Sequence, residues 1–173
     1  DPKVFTNAGT ASGGFTVEIA ANVTKIPAYL FNSTDGNPFV TRVFADTGSY
    51  LDTIGASAFS GCNMLASAEF ANCGKLQYIN AAAFQDCTRL VTADFSNCPE
   101  LLNIENDTFN GCLNLADFSI SNDEKIDKIG DRAFQDCLAL DTFVLPESVT
   151  KMGVDAYKNW VPAQVIYVLG KTH

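Results

Sequence analysis

The chain has 173 residues, 47% of them apolar and 18% charged, an ordinary balance for one domain with a sizeable buried core. Its net charge of -9, with 11 basic residues that form no run, argues against a nucleic-acid partner, because such partners reward clustered Lys and Arg. No stretch reaches the ~20 apolar residues that a membrane span requires.

In chain order, "FTVEI" alternates as a strand does and predicts an N-terminal capping strand over about 15–19, with Phe15 and Val17 in phase with the later Ala68 and Phe70. Val23, Ile26 and Phe31 then open a repeat copy with about three extra residues in "NSTDGNP", which resumes at Val40, Val43, Ala45, Leu51 and Ile54. From there the period is 25: Ile54, Ile79, Ile104 and Ile129; Phe59, Phe84, Phe109 and Phe134; Cys62, Cys87, Cys112 and Cys137; Leu65, Leu90, Leu115 and Leu140. Val149, Met152 and Tyr157 continue the register after a two-residue deletion, and "AQVIYV" predicts a closing strand over about 163–168. The repeats cover about 20–160 without an interior linker, so residues 1–173 are expected to form a single domain.

Within one copy, "LASAEFANCGKLQYI" is apolar at Leu65, Ala68, Phe70, Cys73, Leu76 and Ile79, the L-x-x-L-x-L-x-x-N/C pattern of a leucine-rich repeat. Ala68-Glu69-Phe70 reads as a strand, and the three-residue spacing that follows suits a winding coil. Ala-Phe-x-x-Cys then reads as one helical or 3-10 turn, with Ser57 and Asp131 placed as N-caps. The fold class predicted is a repeat solenoid of about six coils of ~25 residues. Such a right-handed coil carries a parallel β-sheet on its concave face and short helical turns on its convex face. The inward strand pair changes from Ala68 with Phe70 and Ala93 with Phe95 to Phe118 with Ile120 and Phe143 with Leu145. That exchange keeps volume nearly constant, as two positions sharing one interior space should.

The phrases "LDTIGASAFSGCNML" from Leu51 and "IDKIGDRAFQDCLAL" from Ile126 resemble the L-x-x-I-G-x-x-A-F-x-x-C-x-x-L signature of BspA-like leucine-rich repeats, also called the Treponema pallidum type. "LPESVTKMGVDAY" resembles the same family's linker phrase. The second cysteine column, Cys73 and Cys98, and the weak N-terminal copy depart from the signature. The resemblance implies a surface or secreted protein, or one lipid-anchored through a segment removed ahead of Asp1. It further implies binding to proteins, among them host extracellular matrix or plasma proteins and other cell-surface proteins, and it brings no catalytic residues and no cofactor.

The cysteines admit two readings. Their even number and an extracellular setting suggest disulfides; equivalent side chains of stacked coils point the same way, which suggests a buried ladder of free thiols. No C-x-x-C occurs, and a linear column does not make a tetrahedral zinc site. Catalytic constellations fail on inventory: the only histidine is His173, and no glycine-rich phosphate loop occurs. Glu69 with Asp94 could form a glycosidase-like pair, but an acidic stripe on an exposed sheet is the simpler reading. Asp123, Glu124, Asp127 and Asp131 in "SNDEKIDKIGD" hint at calcium, but the EF-hand spacing and glycine are missing.

The candidate ligand-binding residues lie between the inward strand positions and form two stripes on the concave face. One is Arg42, Ser67, Thr92, Asp117 and Thr142; the other is Phe44, Glu69, Asp94, Ser119 and Val144. Phe44 and Val144 are apolar ends without a core assignment, and Glu69 with Asp94 is expected to favour a basic partner segment. A carbohydrate-binding domain using the acidic strip and a plain spacer domain are the alternatives.

Overall fold

A computed structural model describes residues 13–33, 39–121 and 125–168. Most of "NSTDGNP", the acidic Asp123 and Glu124, and His173 lie outside the described residues. The chain winds as a parallel β-solenoid of about six coils. In each coil a longer strand and a two-residue strand stack onto their counterparts in the next.

The longer strands are β1 (Phe15–Ile19), β3 (Val40–Ala45), β5 (Ser67–Glu69), β7 (Thr92–Phe95) and β9 (Asp117–Ile120), which form one broad sheet in that order. The same coil position continues in β11 (Thr142–Leu145) and β13 (Val165–Val168), which pair only with each other. The short strands are β2 (Lys25–Ile26), β4 (Thr53–Ile54), β6 (Tyr78–Ile79), β8 (Asn103–Ile104), β10 (Lys128–Ile129) and β12 (Lys151–Met152). They form an unbroken narrow sheet that the sequence reading did not anticipate. A strand of two residues offers no alternation to detect.

The register agrees with the repeat columns: Ala68 pairs with Ala93 and then Phe118, and Ile54 with Ile79 and then Ile104. One expected phase is wrong. Val17 pairs with Val43, which pairs with Ala68, so Val17 and Ile19 take the inward positions, and Phe15 lies opposite Val40 across a register shift.

The turns that carry the phenylalanines are not helical. The residue two before each Phe or Tyr has positive φ at Tyr29, Ser57, Ala82, Asp107, Arg132 and Asp155. The residue two after it has positive φ at Gly61, Asp86, Gly111, Asp136 and Asn159. A right-handed helical turn excludes this alternation. Its effect is to aim alternate peptides along the solenoid axis. The amides of Ser57, Phe59 and Gly61 donate to the carbonyls of Ala81, Ala83 and Gln85 in the next coil, so these groups serve a third ladder instead of a helix. Ser57 is accordingly no N-cap, and the Asp131 carboxylate accepts from the amide of Val154 one coil on, at 2.8 Å.

The core lies between the three ladders. Phe31, Phe59, Phe84, Phe109, Phe134 and Tyr157 form a stack of near-parallel rings with centroids 5.1 to 5.8 Å apart. Phe70 and Phe95 meet Phe84 edge-on at 6.3 Å. Phe118, arriving from the other strand position, meets Phe109 and Phe134 in the same way at 5.2 and 4.9 Å. The two positions do share one interior space.

All six cysteines are free and buried. Each Sγ of Cys62, Cys87, Cys112 and Cys137 lies 3.1 to 3.2 Å from the carbonyl oxygen of the Phe in the preceding coil, to which the thiol donates. Cys98 donates likewise to Phe70 at 3.3 Å. In the last coil Trp160 stands in the cysteine column, and its Nε1 donates to the Phe134 carbonyl at 2.9 Å. Burial pushes the thiols of Cys62 and Cys98 up to about 12 and that of Cys73 to about 11, so they carry no thiolate character at neutral pH.

Candidate functional site

The outward residues of the broad sheet stand in two rows because successive strand side chains alternate between faces. Strand pairing brings Arg42, Ser67, Thr92 and Asp117 into one row and Phe44, Glu69, Asp94 and Ser119 into the other. At the N-terminal end β1 adds Thr16 beside Arg42 and Glu18 beside Phe44. Thr142 and Val144 are not joined to these rows by strand pairing. They align instead with Val165 and Tyr167 of β13, which the sequence reading did not include.

Three zones follow. In the first, Arg42 Nε donates to Glu69 Oε1 at 2.8 Å, and Nη2 completes a bidentate ion pair with Oε2. Ser67 Oγ donates to the same carboxylate at 3.0 Å. The Arg42 hydrogen bond holds the Glu69 carboxyl below its usual value, against a smaller opposing effect of partial burial. The Arg42 guanidinium also lies 4.6 Å from the centre of the Phe44 ring. Phe44 is therefore half-buried under a cation instead of standing as a free apolar end. Glu69 stands beside Asp94 in its row, and its charge is balanced by Arg42.

A shallow depression of about 460 Å³ opens here, lined by Arg42, Phe44, Ser67, Glu69, Thr92 and Asp94. In the second zone Asp94 accepts from the amide of Ser96 at 2.9 Å, and Asp117 and Ser119 are exposed. Among the described residues neither Asp94 nor Asp117 joins an ion pair. The third zone is apolar: Val144, Val165 and Tyr167 are 42%, 41% and 55% exposed. Its contribution from β13 was legible in "VIYV", whose alternation places Val165 and Tyr167 outward once pairing with β11 is assumed.

Among the described residues Glu100, Glu105, Asp107 and Asp127 pair with a cation of the next coil, as in Arg132 with Asp107 at 2.7 Å and Lys128 with Glu105 at 3.0 Å. Among the described residues no group of three or more His, Cys, Asp or Glu side chains is placed to hold a metal ion, and no helix is long and apolar enough to cross a membrane.

Stacked coils of this pattern, with a parallel sheet and a phenylalanine ladder, define a leucine-rich-repeat solenoid, an architecture that generally serves as a non-enzymatic, protein-binding scaffold. The family described as BspA type leucine rich repeat region matches residues 24–162 in six copies, and the chain belongs to that family. Among solved structures, it is similar to a leucine rich cell surface protein from Faecalibacterium prausnitzii, with TM-score 0.68, 22% identity, and coverage of 88% of this chain and 38% of that one. It is also similar to the T. pallidum leucine rich repeat protein, with TM-score 0.63, 23% identity, and coverage of 90% of this chain and 74% of that one. The pneumococcal vaccine antigen PcpA is a third, with TM-score 0.58, 18% identity, and coverage of 89% of this chain and 30% of that one. The chain thus spans well under half the length of the first and third. No curated protein matches it.

Proposed function

We propose that residues 1–173 act as one non-enzymatic domain, displayed at a bacterial surface or secreted, that binds a protein along the outer face of the broad sheet and of the β11–β13 pair that follows it. The partner class is an extracellular matrix or plasma protein, or a protein on another cell. One observation carries this reading: the face is graded along the solenoid, from an internally neutralised Arg42–Glu69 zone through Asp94 and Asp117 to exposed Val144, Val165 and Tyr167. A segment with basic residues beside an apolar anchor fits such a gradient, and the charge would speed its encounter at low salt. A sugar site is less well served, because Phe44, the aromatic platform within the depression, is covered by Arg42.

The test is capture from a panel of extracellular proteins, followed by titration with variants that retain the fold. Val144→Ser with Tyr167→Ser, and separately Asp94→Lys with Asp117→Lys, should each weaken binding about tenfold or more. Parent affinity in both variants would move the site off this face.

A further inference from the structure

The residue after each cysteine of the longer column faces outward, where the chain passes from the phenylalanine turn toward the broad sheet. That column reads Asn63, Thr88, Leu113 and Leu138, and Val161 follows Trp160 in the same place. Its backbone is set alike in successive coils: the amides of Thr88, Leu113 and Leu138 donate to the carbonyls of Asp86, Gly111 and Asp136 at 2.9 to 3.0 Å. Neighbouring coils touch along it, since Thr88 Oγ1 donates to Asn63 Oδ1 at 3.1 Å. The column changes from polar to apolar midway, and Leu113, Leu138 and Val161 are 41%, 44% and 47% exposed. The coil itself does not require an apolar residue there, because Asn63 and Thr88 serve as well. Exposed apolar residues scattered singly are ordinary; on consecutive coils they make a continuous row.

Acids flank this row without cations. Asp86 and Asp136 lie two residues before Thr88 and Leu138, and Asp141 lies three after Leu138. Among the described residues none of these acids joins an ion pair. Asp136 accepts from the side-chain amides of Asn159 at 2.6 Å and Gln135 at 3.1 Å, which orient its charge without neutralising it. Desolvation, and then the nearby carboxylates of Asp107 and Asp136, push the Asp86 carboxyl above its ordinary value; the second cause marks a negative field that lacks a cation.

The spacing selects the form of an occupant. Coils repeat about every 4.8 Å, so three rungs span about 10 Å. In a helix lying along the solenoid axis, residues i, i+4 and i+7 share one face and also span about 10 Å. An extended strand places its same-face residues about 6.7 Å apart and leaves the rungs by its third contact.

We propose that the row of Leu113, Leu138 and Val161 receives a basic amphipathic helix of a partner protein, its apolar stripe on the row and its Lys and Arg side chains toward Asp86, Asp136 and Asp141. The row is distinct from the outer face of the broad sheet, and its occupancy does not depend on what binds there.

The probe is a labelled synthetic helix with Leu at i, i+4 and i+7 flanked by Lys, titrated against the full chain by fluorescence anisotropy. The parent should bind it, and should bind the same helix with Glu for Lys at least about tenfold more weakly. Leu113→Ser with Leu138→Ser should weaken the Lys helix about tenfold or more at unchanged melting temperature. Asp86→Asn with Asp136→Asn should weaken it about fivefold and flatten its salt dependence. Thr88→Leu, which lengthens the row by one rung, should tighten it. Val144→Ser with Tyr167→Ser, on the other face, should leave its affinity unchanged. No binding by the parent, no preference for Lys over Glu, or parent affinity in Leu113→Ser with Leu138→Ser would overturn the proposal. Loss of binding in Val144→Ser with Tyr167→Ser would overturn it too, placing the helix on the β11–β13 face.

Discussion

The narrow and broad sheets are wound by the same coils, yet the narrow sheet runs through six strands without interruption and the broad sheet divides between β9 and β11. Each short strand sends one residue inward, and that residue is Ile from Ile26 through Ile129, so successive coils sit on equal supports. Each long strand sends in two, and at β9 their sizes exchange. Phe118 fills the space that Phe70 and Phe95 fill from the neighbouring position, but Phe118 and Ile120 are only partly buried where Ala93 and Phe95 are fully buried. Ring contact across the break persists, with Phe118 and Phe143 5.6 Å apart, while strand pairing does not. Pairing holds from β7 to β9, where the sizes exchange, and is lost from β9 to β11, where they do not, so a filled core and a hydrogen-bonded ladder are set separately.

The largest expected effect comes from removing what both sheets share. Phe109 touches Phe84, Phe95, Phe118 and Phe134, and Phe109→Ala should cost about 3–5 kcal/mol in chemical denaturation. Near-parent stability would show that the stack is not the common support. Next in size, Phe118→Ala should cost about 1–3 kcal/mol, since its side chain is only partly buried. Adding Ile120→Phe recreates the β7 pair at β9; it should recover about 1 kcal/mol and raise amide-exchange protection along β9. A further loss on adding it would mean that the exchange is not what disturbs β9.

The third effect is electrostatic and is confined to alkaline pH. Thiols ionise near 8.5 in an unfolded chain but only at about 11 to 12 in folded Cys62, Cys73 and Cys98. Above that lower value the folded chain holds protons that the unfolded chain has lost. Stability should therefore be flat below about pH 8.5 and fall toward pH 11–12, by up to about 1.4 kcal/mol per pH unit for each thiol. Denaturation midpoints across that range check the slope. A native thiol count of zero that rises to six on unfolding without reductant checks the ladder itself.

The coil period, the inward columns and the final coil's two-residue deletion were all legible, because packing in register repeats them in the sequence: Met152 pairs with Ile129, and Tyr157 stacks on Phe134. The turn conformation was legible in principle and was missed. Gly61, Asp86, Gly111, Asp136 and Asn159 share tolerance of positive φ, a signal that the adjacent Ala-Phe-x-x-Cys phrase masks as a helical turn. The pairing of Arg42 with Glu69 was not legible from either residue alone. They lie 27 positions apart, one rung and one row from each other, and only the stagger of neighbouring coils brings the guanidinium to the carboxylate.

Trp160 in the cysteine column shows what the column demands. An indole N–H answers the Phe134 carbonyl as sulfhydryls answer Phe31, Phe59, Phe84 and Phe109. The position calls for a donor on an arm of suitable reach, not for sulfur chemistry. A chain with six cysteines thereby winds without drawing on the redox state of its surroundings: the same coil can form where thiols are kept reduced and persist where they are oxidised.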